Sequence, residues 1–238
     1  MKKLHLFGDS YSAPYEEGHI PYKKYKEFRN GIFPKTWGEL LSEKLECELV
    51  NHAKGSIGND EIFNRFCKMS DKIGKDDIVI INWTYMHRFR WVNCDSKEWN
   101  NFSIHFDENM SRYISKTTSE EIGLNRTSDP YYEQLHDFEN IIITLSKYVG
   151  FSVFFWNADF NFKYNSLMNK TTHKFYLCLD LIKGEGETIF NEVLRRGGLR
   201  INEETNGLIY DIHLAESGHK IQFELFYEHI RKHMLHLI

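Results

Sequence analysis

The sequence predicts an α/β protein in which helices cover both faces of a central parallel sheet, giving a three-layer α/β/α sandwich. Short apolar segments rich in β-branched residues alternate with segments whose apolar residues recur at helical spacing. The clearest strand lies at residues 77–82, and its consecutive β-branched residues are typical of a parallel strand covered on both faces. Because no repeat or linker-like segment divides the chain, we predict a single domain over residues 1–238.

The first half of the chain supplies two strands and two helices of this pattern. Residues 2–7 are short, apolar and followed at once by a tight turn, so they predict a buried first strand. The polar, Tyr- and Lys-rich residues 11–33 predict a loop, after which Pro34 opens a helical pattern. Residues 47–51 predict the second strand, and the spacing of the apolar residues in 59–69 predicts a helix.

The second half of the chain follows the same alternation after one interruption. Residues 85–129 are polar and aromatic without a strong period, which indicates an insertion or a lid-like segment. Residues 131–148 predict a helix, and 152–156 predict the fourth strand. Helical patterns follow at 186–196 and from residue 215 to the end of the sequence.

Composition and charge exclude several classes of function. The 238 residues are 41% hydrophobic and 27% charged, as in ordinary globular proteins, and the net charge of −4 gives no basic footprint for nucleic acid. The apolar run at the N-terminus is too short for a signal peptide, and no run is long enough to span a membrane. The four cysteines show no CxxC spacing and predict reduced thiols. We therefore expect a cytoplasmic protein that does not span a membrane.

Four blocks of the sequence place polar residues where parallel strands end, which is where open α/β sheets form their sites. The first strand runs straight into Gly8, Asp9 and Ser10, so that a hydroxyl group lies at its carboxyl end. An ordinary turn is the alternative, since all three residues favour turns. The other blocks contain the residues Gly55 and Gly58, then Asn82, Trp83, Thr84 and Arg88, and finally Asp211, His213 and Gly218.

Taken together, these blocks resemble the SGNH or GDSL-type hydrolases. That family carries Gly-Asp-Ser after the first strand, a glycine after the second, an asparagine after the third, and an Asp and a His near the C-terminus. The resemblance implies a flavodoxin-like fold with Ser10 as nucleophile, His213 as general base and Asp211 as the group that orients the imidazole. Gly218 lies five residues after His213, as in the family, and this register selects His213 over His219. An ordinary loop histidine is the alternative reading of His213.

The resemblance also implies an oxyanion hole, for which several candidates remain open. The amide of Ser10 is one donor, and Gly55 supplies the second, with Gly58 as the alternative. Either Asn82 or Thr84 would be the third donor, although the chain reads Asn-Trp-Thr-Tyr where the family has Gly-x-Asn-Asp. Asp9, Trp83 and Arg88 are further candidates for contact with substrate, and an ordinary ion pair is the alternative for Arg88.

The expected activity is hydrolysis of a carboxylic ester through an acyl-enzyme on Ser10, with no metal and no cofactor. The family often acts on short acyl groups of carbohydrates, so a small-molecule or glycan ester is the expected substrate. The chain departs from the family at two further points: Asp211 precedes His213 by two residues rather than three, and Leu214 replaces a proline. These departures leave open a catalytically weakened binding or structural protein, and transfer of the acyl group to an alcohol instead of water.

Overall fold

A four-stranded parallel sheet forms the centre of the chain. The computed structural model describes residues 1–85, 88–92, 99–103, 129–158, 174–181 and 188–234. Its strands are β1 (Lys3–Phe7), β2 (Glu48–Asn51), β3 (Ile78–Trp83) and β6 (Ser152–Asn157). They lie in the order β2-β1-β3-β6, and every neighbouring pair is parallel. The two remaining strands, β4 (Arg88–Val92) and β5 (Trp99–Ser103), pair with each other in antiparallel orientation.

Helices connect these strands and follow the last of them. The α-helices in the described part of the chain are α1 (Ile20–Phe28), α2 (Trp37–Lys44), α3 (Asn59–Met69), α4 (Asp129–Val149), α5 (Ile189–Arg195), α6 (Ile201–Glu204) and α7 (Glu216–Met234). Short 3₁₀ helices cover Ser70–Lys72 and Leu179–Leu181. None of the described helices combines the length and apolar character needed to cross a lipid bilayer.

One face of the sheet packs against α2, α5 and α7. Leu6 of β1 and Ile80 of β3 point to this side, where they lie in one buried cluster with Leu41, Val193 and Phe226. Each of these three partners comes from a different helix of the layer. Alternate residues of a strand point to opposite faces, so the neighbours of Leu6 and Ile80 serve the other side.

The opposite face packs against α3 and α4. Val79 and Ile81 of β3 lie there in a second buried cluster with Phe66 of α3 and Ile142 of α4. All six residues of β3 are buried, which explains its continuous apolar sequence. The prediction of an α/β protein with a parallel sheet between helical layers is therefore confirmed, and all four sheet strands lie where the sequence places them.

The largest difference from the sequence prediction lies in residues 11–33. We predict a loop there, whereas Ile20–Phe28 form α1. Tyr22 and Tyr25 anchor this helix in a small cluster with Ile201, Ile209 and Ala215. Because tyrosines rather than aliphatic residues form its buried face, the segment reads as polar although it is helical.

The predicted insertion at residues 85–129 contains β4 and β5, and most of its other residues lie outside the described part of the chain. Its first strand packs on α3, where Gly58 lies under the backbone of Arg88. A Cβ atom at Gly58 would come within 2.4 Å of the Arg88 carbonyl oxygen, so only glycine permits this approach. The first strand of the insertion is therefore in contact with α3 of the central fold.

Candidate active site

The candidate site lies at the carboxyl edge of the parallel sheet. Ser10 follows β1, Gly55 follows β2 and Thr84 follows β3, and the parallel register brings all three strand ends to the same edge. The loop that precedes α7 contributes Asp211 and His213. Residues from four separate parts of the sequence therefore meet at one edge.

Ser10 lies in a tight turn directly after β1. The backbone N–H groups of Ser12 and Ala13 both donate to the carbonyl oxygen of Asp9, each at 3.0 Å. Gly8 is required at this point because a Cβ atom there would lie 2.6 Å from the Cβ of Asn82. The close approach of the ends of β1 and β3 thus fixes where the Ser10 turn begins.

Asp9 is the centre of a buried polar cluster, which we call the Asp9 cluster and which comprises Asp9, Asn82, Thr84 and Arg88. Its carboxylate atom Oδ1 accepts hydrogen bonds from the Tyr11 backbone N–H at 3.0 Å and from the Asn82 amide at 2.8 Å. Oδ2 accepts from the Thr84 hydroxyl at 2.5 Å and from the Arg88 guanidinium at 2.7 Å. Four donors and one positive charge therefore satisfy a carboxylate that is removed from water.

Four of the predicted site residues, Asp9, Asn82, Thr84 and Trp83, are engaged inside the protein in this structure. Asp9, Asn82 and Thr84 are fully buried, so none of these side chains presents a surface to substrate. Asn82 and Thr84 direct their donors at Asp9, which removes them as a third oxyanion donor. Trp83 points to the opposite side of β3, where its indole N–H donates to Glu139 at 3.0 Å within the core.

Arg88 belongs to the same cluster. Its guanidinium group pairs with Asp9, and its side chain is 18% exposed. The same Nη1 atom also lies 3.0 Å from the Thr84 hydroxyl oxygen. These contacts are those of a partly buried ion pair that joins the start of β4 to the Ser10 turn.

The two candidate glycines lie in different surroundings. A Cβ atom at Gly55 would lie 3.8 Å from the Cβ of Ser10, in ordinary contact distance, so Gly55 is a direct neighbour of Ser10. Gly58 is instead the residue that precedes α3 and packs under Arg88. This close packing accounts for a glycine at position 58 without a catalytic role. Gly55 is therefore the candidate glycine that lies beside Ser10.

Asp211 and His213 form a hydrogen-bonded pair. Nδ1 of His213 lies 2.7 Å from Oδ1 of Asp211, and the same oxygen accepts the backbone N–H of His213 at 2.8 Å. Burial by itself would raise the pKa of the Asp211 carboxyl, but its hydrogen bonds and charge interaction with His213 lower the pKa below its ordinary value. The two-residue spacing between Asp211 and His213 permits this pairing, because one carboxylate oxygen accepts from both the backbone N–H and the ring of His213.

Ser10 and His213 line the same small pocket. With Nδ1 donating to Asp211, Nε2 of His213 carries the lone pair that a general base needs. The imidazole is held between the rings of Tyr11 and Tyr22, whose centroids lie 5.1 Å and 5.6 Å from its own. Although both residues are described, no hydrogen bond joins the Ser10 hydroxyl to His213 in this structure; catalytic hydrogen bonds often tighten only when substrate binds.

His219 lines the same pocket but has a different environment. Its Nδ1 accepts the backbone N–H of Trp37 at 3.3 Å, so its Nε2–H donates to the Tyr15 hydroxyl at 3.0 Å. The Tyr15 hydroxyl in turn donates to the carbonyl oxygen of Leu214 at 3.0 Å. Burial lowers the pKa of His219 to about 3, which keeps the ring neutral. Both ring nitrogens of His219 are therefore engaged in holding the fold.

Two contributors to the site are absent from the sequence prediction. Tyr22 on α1 packs against His213, and it is missed because the helix that carries it is read as a loop. Asn59, the first residue of α3, bonds to both backbone groups of Thr84: its Oδ1 accepts the N–H at 2.7 Å and its Nδ2 donates to the carbonyl at 3.1 Å. An asparagine at a helix start usually caps its own helix, so the sequence gives no signal for this contact with Thr84.

No group of three or more His, Cys, Asp or Glu side chains in the described ranges is arranged to bind a metal ion. Comparison of the sequence with protein-family models and with curated proteins gives no match. The chemical interpretation therefore depends on the geometry of Ser10, Asp211 and His213.

Proposed function

We propose that this chain is a serine esterase with an SGNH-type fold, which hydrolyses a carboxylic ester through an acyl-enzyme on Ser10. The observation that carries the proposal is the pairing of His213 with a buried carboxylate in a pocket whose wall includes Ser10. A serine hydroxyl is a poor nucleophile until a neighbouring imidazole removes its proton. The position of Ser10 at the carboxyl edge of the parallel sheet is where open α/β folds place their sites.

In the acylation half of the reaction, Ser10 Oγ attacks the ester carbonyl carbon and His213 Nε2 accepts the hydroxyl proton. The bond between Ser10 and the acyl carbon forms while the carbonyl oxygen becomes an oxyanion. Asp211 holds the imidazole in the tautomer that exposes Nε2 and stabilises the imidazolium that results. The C–O bond to the alcohol then breaks, and the imidazolium returns its proton to the leaving oxygen.

Backbone groups are the proposed donors to the oxyanion. The Ser10 amide belongs to the nucleophile itself, and Gly55 is its direct neighbour at the end of β2. A single oxyanion donor typically contributes about 2.7–4 kcal/mol to stabilisation of the transition state. Because Asn82 and Thr84 bond to Asp9 below the surface, a hole built from backbone donors alone is the expected arrangement.

In the second half of the reaction, a water molecule attacks the acyl-enzyme with His213 again acting as base. The acyl–Ser10 bond breaks, Ser10 recovers its proton from His213 and the carboxylic acid leaves. An alcohol in place of water would give an acyltransferase by the same steps. Product analysis in the presence of a competing sugar or alcohol distinguishes the two, and exclusive hydrolysis excludes transfer to that acceptor.

Covalent labelling with a fluorophosphonate tests the proposal directly. We expect the label at Ser10, found by mass spectrometry of the digested protein, and no label in Ser10→Ala or His213→Gln. Ser70→Ala is the matched control, because Ser70 lies in the 3₁₀ helix after α3 and its hydroxyl donates to the carbonyl of Cys67. A label on another residue, or none on the folded protein, would overturn the assignment of the nucleophile.

A binding or structural protein that retains the same fold is the second candidate. It is favoured by the inward direction of Asn82 and Thr84 and by the lack of a hydrogen bond from Ser10 to His213. Hydrolysis of p-nitrophenyl acetate separates the two candidates. A rate that is equal in the unaltered protein and in Ser10→Ala would support the binding protein for simple esters.

A further inference from the structure

The pocket beside Ser10 and His213 is small, and its lining includes the buried side chain of His219. It offers about 10 Å³ to the centre of a water-sized molecule, which is close to the space that one water needs. A methyl group is only slightly larger than water, whereas each further methylene would have to displace a wall. We infer that this pocket is the acyl pocket of the proposed esterase and that it selects acetyl esters; the inference depends on the proposed function.

The inner wall of the pocket is fixed by buried hydrogen bonds. His219 is held between the Trp37 backbone and the Tyr15 hydroxyl, and Tyr15 is held in turn by the carbonyl of Leu214. All three of His219, Tyr15 and Leu214 line the pocket. Moving this wall to admit a longer chain would leave buried polar groups without partners, which is costly.

Aromatic packing fixes the second wall. The Tyr22 ring meets His213 edge-on at 5.6 Å, and on its other sides it contacts Tyr15 at 5.0 Å and His19 at 4.6 Å between ring centroids. Tyr22 is buried within the cluster that attaches α1 to the chain. Its ring therefore has no free space into which it could rotate without opening that cluster.

The course of the reaction indicates which part of the ester enters this pocket. The acyl group stays bound to Ser10 after the first step, whereas the alcohol must leave and be replaced by water. A closed pocket suits the retained group, and the leaving alcohol requires the open side of the site. The size of the pocket therefore limits the acyl group and sets no limit on the alcohol.

A chain-length series of p-nitrophenyl esters tests this inference on the full chain. We expect kcat/KM to fall at least about a hundredfold from acetate to butyrate, since the acyl chain gains two methylenes and a hydrophobic pocket discriminates at least about tenfold per methylene. Octanoate is expected to give no Ser10-dependent hydrolysis. Equal kcat/KM values for acetate and octanoate, both abolished in Ser10→Ala, would overturn the acyl-size inference while supporting the proposed esterase.

Two variants should change the hydrolysis of short esters. Tyr22→Leu removes an aromatic wall and should raise the ratio of butyrate to acetate hydrolysis at least about tenfold. Ala13→Val adds two methyl groups to the lining and should lower acetate hydrolysis at least about tenfold, with unchanged thermal unfolding. Unchanged acetate hydrolysis in folded Ala13→Val would overturn the inference, even where Tyr22→Leu does not fold.

Tyr148→Leu is the matched control for the tyrosine change, since Tyr148 is exposed on α4 and should leave the ester profile unchanged. Failure of the proposed function looks different from failure of the acyl-size inference. In that case no ester of any length is hydrolysed in a Ser10-dependent manner, and fluorophosphonate does not label Ser10.

Discussion

Two buried carboxylates lie at the same edge of the sheet and have opposite surroundings. Asp9 accepts four hydrogen bonds and is paired with the permanent charge of Arg88. Asp211 bonds to the backbone and ring of one residue, His213, whose Nε2 bonds to none of the described residues. The Asp9 carboxylate is fully paired, whereas the Asp211–His213 pair leaves the basic nitrogen Nε2 of His213 at the pocket that contains Ser10.

The difference separates a structural role from a chemical one. Both carboxylate oxygens of Asp9 are occupied by hydrogen-bond donors, so Asp9 holds the Ser10 turn and offers no free oxygen for proton transfer. Asp211 acts through the imidazole of His213, whose Nε2 is left as an acceptor at the pocket. Variants of Asp211 should therefore change activity, and variants of the Asp9 cluster should change stability.

The largest expected effect is that of Asp211→Asn on activity. The amide oxygen can keep both contacts of Oδ1, since a single carboxylate oxygen binds the backbone N–H and the ring Nδ1–H of His213. The amide carries no negative charge, however, so the imidazolium that forms in the transition state loses the charge that stabilises it. We expect kcat for p-nitrophenyl acetate to fall by about 10- to 1000-fold with little change in thermal stability, since an adjacent opposite charge shifts a pKa by about 1–3 units.

Asp180→Asn is the control for this substitution, because Asp180 is exposed in the 3₁₀ helix Leu179–Leu181. It should keep the full rate. A loss of less than about tenfold in Asp211→Asn would contradict the comparison, since Asp211 would then be no more than a structural acceptor.

The positions of the strands could be predicted because their burial determines their sequence. The run at residues 78–81 is apolar without alternation because both faces of β3 are covered, and this is visible without a structure. Parallel pairing then places the ends of the strands together, so Ser10 and the residues after β3 are expected at one edge. The meeting of Ser10 with Asp211 and His213 follows from the resemblance and agrees with the observed pocket.

Side-chain direction at the strand ends could be predicted only in part. Asn82 and Thr84 lie two residues apart, so strand alternation predicts that they share a face and that Trp83 points away. Alternation cannot tell whether that face meets substrate or a buried Asp9, since this depends on how the Ser10 turn folds back. The sequence does not predict helix α1 for a related reason. Tyr22 and Tyr25 count as polar residues in the sequence, but both are buried in the structure.

Removal of the charge in the Asp9 cluster should mainly affect stability. Arg88→Met leaves a buried carboxylate without its cation, and we expect the free energy of unfolding to fall by about 3 kcal/mol in urea titrations. Lys35→Met is the control: Lys35 forms an exposed ion pair with Glu43, and such pairs contribute about 0.2–1 kcal/mol.

The double variant Asp9→Asn/Arg88→Met makes this test sharper. An amide in place of the carboxylate removes the unpaired charge, so the double variant should be more stable than Arg88→Met alone. If the two single losses simply add, the ion pair between Arg88 and Asp9 does not stabilise the Ser10 turn, and the contrast between the two carboxylates loses its physical basis.

The smallest effect concerns His219, which shares the pocket with His213 but remains uncharged. Its pKa of about 3 in the folded chain lies below the ordinary value of 6.5, so the unfolded chain binds more protons between these values. Stability is therefore fully present above pH 6.5 and is lost as the pH falls toward 3, by about 1.4 kcal/mol per pH unit for this one group. Urea unfolding at pH 7 and pH 5 should show a shallower loss in His219→Gln than in the unaltered protein. The other histidines are present in both proteins, so their contributions to the pH dependence cancel in this difference. Equal losses would mean that His219 is protonated in the folded chain and does not form the fixed wall of the pocket.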